Sequence, residues 1–429
     1  MNKVFNLRKK YPKFVYENFS YEFSKNDLKI VFCFSIEPGI HFKPEFLIKN
    51  VSKKIFNNIN KNSLDNLVFN LGLIEIPSYW KLTSSPIIEI RAGYLNKNQI
   101  QWWKNIFIEG MGQFYYENKI DWRIKNFLKI YSTIKSGPKN LFLGKLKNCY
   151  LLPFAGGRDS IVTLENLKRK NKEITLFTVN PIEKIQQTVK ISGIKKQIII
   201  KRILDRKLLD LNKKGFLNGH IPFTSMLSFL SVFCAVIFDC KNIAFSNEKS
   251  SDEGNVKYLG KVINHQWAKS SVFEKKFKEY SKKYLAKDIN YFSFLRKFTE
   301  IEISEKFSKY QKYFPVFSSC NAGMKISTKG LLGAEKRWCG KCPKCLFVFL
   351  TLYPFVDDKK IIKIFGSNLF EDKNLLPLMK DIVGKGKLKP LECVGTYKES
   401  RKAFELSFRK SIKNIPYLLK ETRKCLSKK

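Results

Sequence analysis

Between Cys149 and Ser246 the chain alternates short, continuously apolar runs with longer amphipathic stretches. The runs CYLLPF (149–154), ITLFTV (Ile174–Val179), QIIIK (Gln197–Lys201) and NIAFS (Asn242–Ser246) lack polar alternation, the pattern of strands buried on both faces. Ser160–Lys170, roughly Leu204–Lys213 and Phe223–Asp239 space their apolar residues like helices. Strands and helices in this order predict an α/β fold, a doubly wound parallel sheet with helices on both faces. Residues 1–145 read as α+β. LKIVFCFSI (28–36) and PIIEIRAGYL (86–95) alternate like strands, and residues 98–120 have helical spacing. After Tyr313 comes a cysteine-rich segment, then helical patterns and a basic tail. Three units are expected: 1–145, 146–318 carrying the parallel sheet, and 319–429.

Ligands in such sheets bind beyond the carboxyl ends of strands. The first apolar run ends there, in Ala155-Gly156-Gly157-Arg158-Asp159-Ser160, where the next helix starts. Two glycines let the backbone turn tightly and approach a ligand. Free amides and the positive end of a helix converge at the same place, which makes an anion site. Asp159 is placed to hold a Mg²⁺ ion bridging phosphates, and Ser160 to cap the helix or touch a phosphate oxygen. Gly-Lys-Ser/Thr is absent, so this is not a Walker loop.

AGGRDS resembles the Ser-Gly-Gly-x-Asp-Ser loop of the PP-loop ATP pyrophosphatases, which cleave ATP between its α and β phosphates. The resemblance implies a doubly wound sheet, ATP and Mg²⁺. It puts Gly156, Gly157, Arg158, Asp159 and Ser160 around the pyrophosphate. Ala155 stands where that loop has its first serine, so one hydroxyl contact is lost while the backbone cradle remains.

Four further stretches are similar to the MurL family of ATP-dependent UDP-N-acetylmuramoyl-L-alanyl-L-glutamate epimerases. They are LGLIEIPSYWKLTSSPIIEIRAGYL, SNE…EGN, NHQWAKSSVFE and KPLECVGT, and they recur in the family's order over roughly residues 40–400. The implied reaction turns the terminal L-Glu of that nucleotide-sugar peptide into D-Glu in peptidoglycan precursor synthesis, releasing AMP and diphosphate. Its chemistry is consistent with an ATP site. A carboxylate resists loss of its α proton, whereas its adenylate is an activated ester whose α proton is far more acidic. A base then takes the proton, and a group on the other face returns it. Of the three histidines, His41 reads as structural, while His265 in NHQWAKS and then His220 are the candidate bases. Lys269 is a further candidate. Cys234 is another, but its apolar surroundings suit core packing. Asn180 and Glu248, each just after a strand, are placed on the nucleotide, and Asn247, Glu253 and Asn255 lie in the same loop as Glu248.

Cys339, Cys342 and Cys345 are spaced C-x₂-C-x₂-C, and Cys320 supplies a fourth thiolate. This set suits one structural Zn²⁺, with an iron–sulfur cluster as the alternative and Cys393 as a substitute fourth ligand. The cysteine set of 7-cyano-7-deazaguanine synthases, another PP-loop family, is similar. A PP-loop enzyme acting on tRNA or forming a deazaguanine is therefore the alternative function.

Composition changes this picture little. The chain has 429 residues, 44% hydrophobic, with a net charge of +43 from 80 Lys+Arg against 37 Asp+Glu. The lysines are spread through every segment, as in a chain from an AT-rich genome, which argues against a nucleic-acid partner. MNKVFNLRKKYPKF lacks the apolar core of a secretory signal, and MLSFLSVFCAVIF and CLFVFLTLYPFV are too short to span a bilayer. A cytoplasmic enzyme with reduced thiols and no membrane partner is expected.

Overall fold

The computed structural model describes residues 3–137, 140–320, 326–327, 330–331 and 338–427, the two short segments by their backbone alone. In chain order the principal strands are β1 (Lys13–Ser24), β2 (Asp27–Glu37), β3 (Ile40–Phe42), β4 (Glu45–Ile48), β5 (Ile87–Ile90), β6 (Lys129–Ser132), β7 (Tyr150–Pro153), β8 (Ile174–Val179), β9 (Gln197–Ile203), β10 (Asn242–Phe245), β11 (Val256–Tyr258), β12 (Lys261–Ile263) and β13 (Asn290–Ser293). β11 and β12 form a small hairpin, and the other 11 strands share one sheet. Its order is β13-β10-β7-β8-β9-β4-β2-β1-β5-β6, with β3 beside β2.

From β13 to β9 every neighbouring pair is parallel. This is the doubly wound sheet that the apolar runs predict, and β7 to β10 match those runs within two residues at each end. β7, β8 and β9 step outward. The chain then returns past β7 and lays β10 on its other side. The order reverses between β7 and β10, so a crevice opens beyond their carboxyl ends. β4 joins β9 antiparallel, and through it the N-terminal strands continue the same sheet across residue 145.

Successive strand residues face opposite sides, and two apolar cores form accordingly. Leu151, Phe177 and Ile243 pack with the N-terminal elements and the buried helix Phe223–Ile237. Leu152, Leu176 and Ala244 pack with the helices Arg158–Arg169 and Pro343–Leu352 and with the C-terminal helices. Residues 98–120 fold as two helices, Lys97–Ile108 and Gly112–Glu117, with a break between them. Among the helices that come in addition to the expected ones are Glu183–Ser192 between β8 and β9, and the 20-residue Lys61–Trp80, which packs on Phe223–Ile237. Cys149 and Cys240, at the amino ends of β7 and β10, have Cα atoms 5.1 Å apart, a separation a disulfide can bridge. No helix among the described residues is long and apolar enough to cross a membrane.

Candidate functional site

The loop after β7 forms one wall of the crevice. Gly156 has φ +70°, where a side chain is strained, and a Cβ there would sit 3.1 Å from Thr188 Oγ1. Gly157 precedes the helix Arg158–Arg169, and no side chain among the described residues caps that helix. Its first amides are therefore left for a ligand or water. Ser160 Oγ donates to the Gly157 carbonyl (2.9 Å), and Ala155 is exposed. The Ser318 amide donates to the Gly156 carbonyl (3.3 Å), so residues 318–319 run across the loop.

Arg158 points the other way. Its guanidinium is 1% exposed and donates to Asp159 (2.8 Å), Ser304 (2.8 Å), Thr351 (3.1 Å) and Glu300. It locks the helix start to the C-terminal helices and orients Asp159. Burial works against the Asp159 carboxylate, but Arg158, Lys344 and Lys269 hold its pKa below the usual range. Glu300 is fully buried, and burial pushes its pKa up against the pull of Arg158.

The loop after β10 forms the opposite wall. Glu248 is 3% exposed, and burial raises its pKa although Lys269 and Lys344 oppose that. Arg296 positions this wall by donating to the backbone carbonyls of Glu248 (2.9 Å) and Lys269 (2.6 Å). Lys344 reaches in from the start of the helix Pro343–Leu352. It is 6% exposed, and no carboxylate among the described residues lies within ion-pair distance of it. A buried ammonium near Asp159 and Glu248 but in contact with no carboxylate among the described residues, close to a helix start with open amides, can receive a phosphate.

Farther along the crevice a chain of polar contacts leads away from the loop. Lys269 Nζ donates to Cys393 Sγ (3.2 Å), and His265 joins Lys269 in lowering the pKa of the same thiol. His265 Nδ1 meets Gln113 Oε1 (2.5 Å), and Gln113 Nε2 donates to Glu117 Oε1 (2.7 Å). Because the amide nitrogen is spent on Glu117, its oxygen faces His265. An amide oxygen only accepts, so Nδ1 carries the hydrogen and Nε2 is the free nitrogen. The His220 ring lies 4.6 Å from that of His265, and burial holds its pKa well below normal, with His265, Lys81 and Lys269 adding to the effect. Lys81 is brought down to about 8 by burial, then by Arg202.

The loop carrying Cys393 is docked by residues of SNE…EGN and NHQW. Asn255 Nδ2 donates to the Pro390 carbonyl (2.6 Å), while its Oδ1 accepts from the His265 amide (2.8 Å). Glu253 pairs with Lys389 (2.8 Å), and Glu392 accepts from the Lys344 amide (3.1 Å). Gly395 fits only because it has no side chain, since a Cβ would lie 2.7 Å from Phe347 Cζ.

The sulfurs of Cys320, Cys339, Cys342 and Cys345 all lie within 4.8 Å of one another. Four thiolates around one tetrahedral ion at about 2.3 Å would be roughly 3.8 Å apart. The observed 3.7 Å (Cys339–Cys345) and 3.4 Å (Cys342–Cys345) fit a single ion. An iron–sulfur cluster would spread the thiolates over separate irons. Cys393 is not in this group and sits with Lys269 instead.

Asp159, Glu248, Lys269, His265 and His220 are thus brought to one crevice. Asn180 is not. It lies exposed after β8, with its amide spent on both backbone groups of Arg202 (2.9 and 2.8 Å). Asn247 donates to Ser293 (3.0 Å), Cys234 is buried in the core where its thiol pKa is pushed far up, and His41 is exposed beside β2. Sequence reasoning missed Lys344, Gln113 and the place of Cys393. Lys344 is hidden inside the metal-ligand spacing, and the others are joined to His265 only by the fold.

The description MurL N-terminal domain matches residues 6–294, and MurL C-terminal domain matches residues 316–428. A protein of Xanthomonas oryzae pv. oryzae (strain MAFF 311018) named UDP-N-acetyl-alpha-D-muramoyl-L-alanyl-L-glutamate epimerase is 32% identical over 333 residues, 78% of this chain and 72% of its own. A protein of the same name from Salinispora tropica (strain ATCC BAA-916 / DSM 44818 / JCM 13857 / NBRC 105044 / CNB-440) is 33% identical over 338 residues, again 78% and 72%. A solved structure, the predicted subunit of a tRNA methyltransferase from Methanocaldococcus jannaschii, covers 44% of this chain with a TM-score of 0.23 and 15% identity. That likeness is too slight to assign a substrate.

Proposed function

The chain belongs to the MurL family, and from that premise we propose that it epimerises the terminal L-glutamate of UDP-N-acetylmuramoyl-L-alanyl-L-glutamate to D-glutamate, with ATP activating the α-carboxylate as an acyl-adenylate. The observation that carries the ATP-dependent step is the helix start at Gly157 together with the buried Lys344, which contacts no carboxylate among the described residues, at the switch between β7 and β10. The amides after Gly157 and the ammonium of Lys344 would take the phosphates. Asp159 and Glu248 would hold Mg²⁺. Although Ala155 offers no hydroxyl, the backbone cradle and Lys344 supply the contacts.

His265 sits at the far end of the same crevice. Its free Nε2 is the base for the α proton, and neutral His220 beside it completes the proton relay. The N-terminal region supplies Gln113, Glu117 and Lys81 to this end, which fits a role in holding the UDP-muramoyl part. The four-cysteine site would hold zinc. It anchors the start of the helix Pro343–Leu352 and thereby places Lys344. The alternative of a tRNA- or deazaguanine-directed enzyme yields to the family membership.

The test is isotopic. Substrate carrying ¹⁸O in the glutamate carboxylates, turned over with ATP and Mg²⁺, should pass one ¹⁸O to the phosphate of AMP. D-Glu formed with AMP free of ¹⁸O would refute carboxylate adenylylation.

A further inference from the structure

Cys393 is a group that acid–base chemistry at His265 leaves without a role. It is half-buried, so it can be reached from the crevice, and three features bear on it. A cation, Lys269, lies 3.2 Å from its sulfur. An imidazole, His265, acts on the same thiol and lowers its pKa. That imidazole is fixed in one tautomer by Gln113, which is fixed in turn by Glu117. Nucleophile, base and orienter in this order form the arrangement that activates a thiol for attack on an acyl group. Burial alone would keep the thiol protonated, yet Lys269 and His265 bring its pKa down from 9.0 to about 6.

We infer that Cys393 is a covalent nucleophile, taking the activated glutamyl group from AMP and holding it as a thioester while the α-carbon is inverted. This rests on the adenylate reading above. The Cys393 thiolate attacks the carbonyl carbon of the acyl-adenylate. The C–S bond forms, the bond from that carbon to the phosphate oxygen breaks, and AMP leaves with the electron pair. The thioester keeps the α proton acidic, because its carbonyl accepts the charge of the enolate without a neighbouring carboxylate. That carbonyl is held beside the Lys269 ammonium, which is placed to stabilise developing negative charge. The α-carbon lies two bonds from the sulfur, within reach of the same His265. The thiol proton has by then passed through His265 to solvent, so His265 is neutral again and takes the α proton, while a solvent proton relayed by His220 is delivered to the opposite face. Water then adds to the carbonyl, its two protons pass by way of His265 to solvent, the C–S bond breaks, and the thiolate is regenerated with the D-glutamyl carboxylate. No step needs an oxidant or reductant.

The experiment is a single-turnover acid quench with substrate labelled with ¹⁴C in the glutamate. Wild-type protein with ATP and Mg²⁺ should carry up to one label per chain, released by neutral hydroxylamine. Cys393→Ala should carry none and lose D-Glu formation at least 1000-fold, while substrate-dependent exchange of ³²P-pyrophosphate into ATP persists. That exchange shows that the variant folds and forms the adenylate. If the alanine variant loses exchange too, Cys393→Ser decides: an oxygen ester resistant to hydroxylamine should accumulate. Wild type that forms D-Glu without ever carrying label, or an alanine variant that keeps D-Glu formation within threefold, overturns the thioester. Wild type with neither D-Glu nor exchange overturns the underlying adenylate reading instead.

Discussion

Replacing Lys269 with methionine should turn Cys393 back into an ordinary buried thiol. Burial pushes the thiol up, and Lys269 is the largest influence bringing it down, followed by His265 and then Lys344. Glu248, the other charge on this side of the crevice, already interacts with Lys269 and disfavours the thiolate. The fall from 9.0 to about 6 corresponds to about 4 kcal/mol in favour of the thiolate, less whatever solvent screens in a half-buried site. At pH 7 roughly nine-tenths of Cys393 is then ionised, and without Lys269 under about one-tenth. Because the pKa is depressed, the thiolate is present above pH 6 and lost as pH falls through it. Alkylation by iodoacetamide, followed on the Cys393 peptide by mass spectrometry, measures this directly. The wild-type rate should be half-maximal near pH 6. In Lys269→Met the midpoint should move above about pH 8, with the rate at pH 7 down about tenfold or more. An unchanged midpoint would refute the assignment of the thiolate to Lys269.

Three further outcomes are expected. Arg202→Met strands the buried Glu75, which Arg202 holds at 2.5 and 3.1 Å, and should cost about 3–5 kcal/mol in urea unfolding; a loss below about 1 kcal/mol would show that Glu75 is relieved some other way. Gly156→Ala forces a side chain to φ +70°, a strain of about 1–2 kcal/mol, and calorimetry should show ATP affinity down at least tenfold with only a small drop in melting temperature. Elemental analysis should find one zinc per chain and no sulfide, and Cys339→Ser should weaken ATP binding together with zinc, because Lys344 lies between two of the ligands.

Much of the crevice's β7 side was legible in the chain, because its signals are local. β7 to β10 are continuous apolar runs, and the loop and its aspartate are contiguous. NHQWAKS carries His265 and Lys269 four residues apart. The N-terminal half hides its elements for physical reasons. The helix Lys61–Trp80 is buried on nearly every side, so it has no polar face and no periodicity to read. β1 alternates, but only its second half is one-sided, with three consecutive buried residues near its start. The end of the crevice around His265 and Cys393 was illegible for another reason. Cys393 and Lys269 are 124 residues apart, and Gln113 and His265 are 152 apart. The docking of the KPLEC loop, by Asn255 and Glu253 among others, brings Cys393 to Lys269, and the helix Gly112–Glu117, packed on β12, brings Gln113 to His265. The family resemblance marked those stretches without saying that they meet.

Epimerisation driven by ATP stands or falls on one incubation: the purified protein with UDP-N-acetylmuramoyl-L-alanyl-L-glutamate and Mg²⁺, with and without ATP, followed by measurement of D-glutamate and AMP after acid hydrolysis. D-glutamate should form only with ATP, and AMP should form at no less than one per D-glutamate. D-glutamate without ATP, or AMP without D-glutamate, would contradict the proposed reaction.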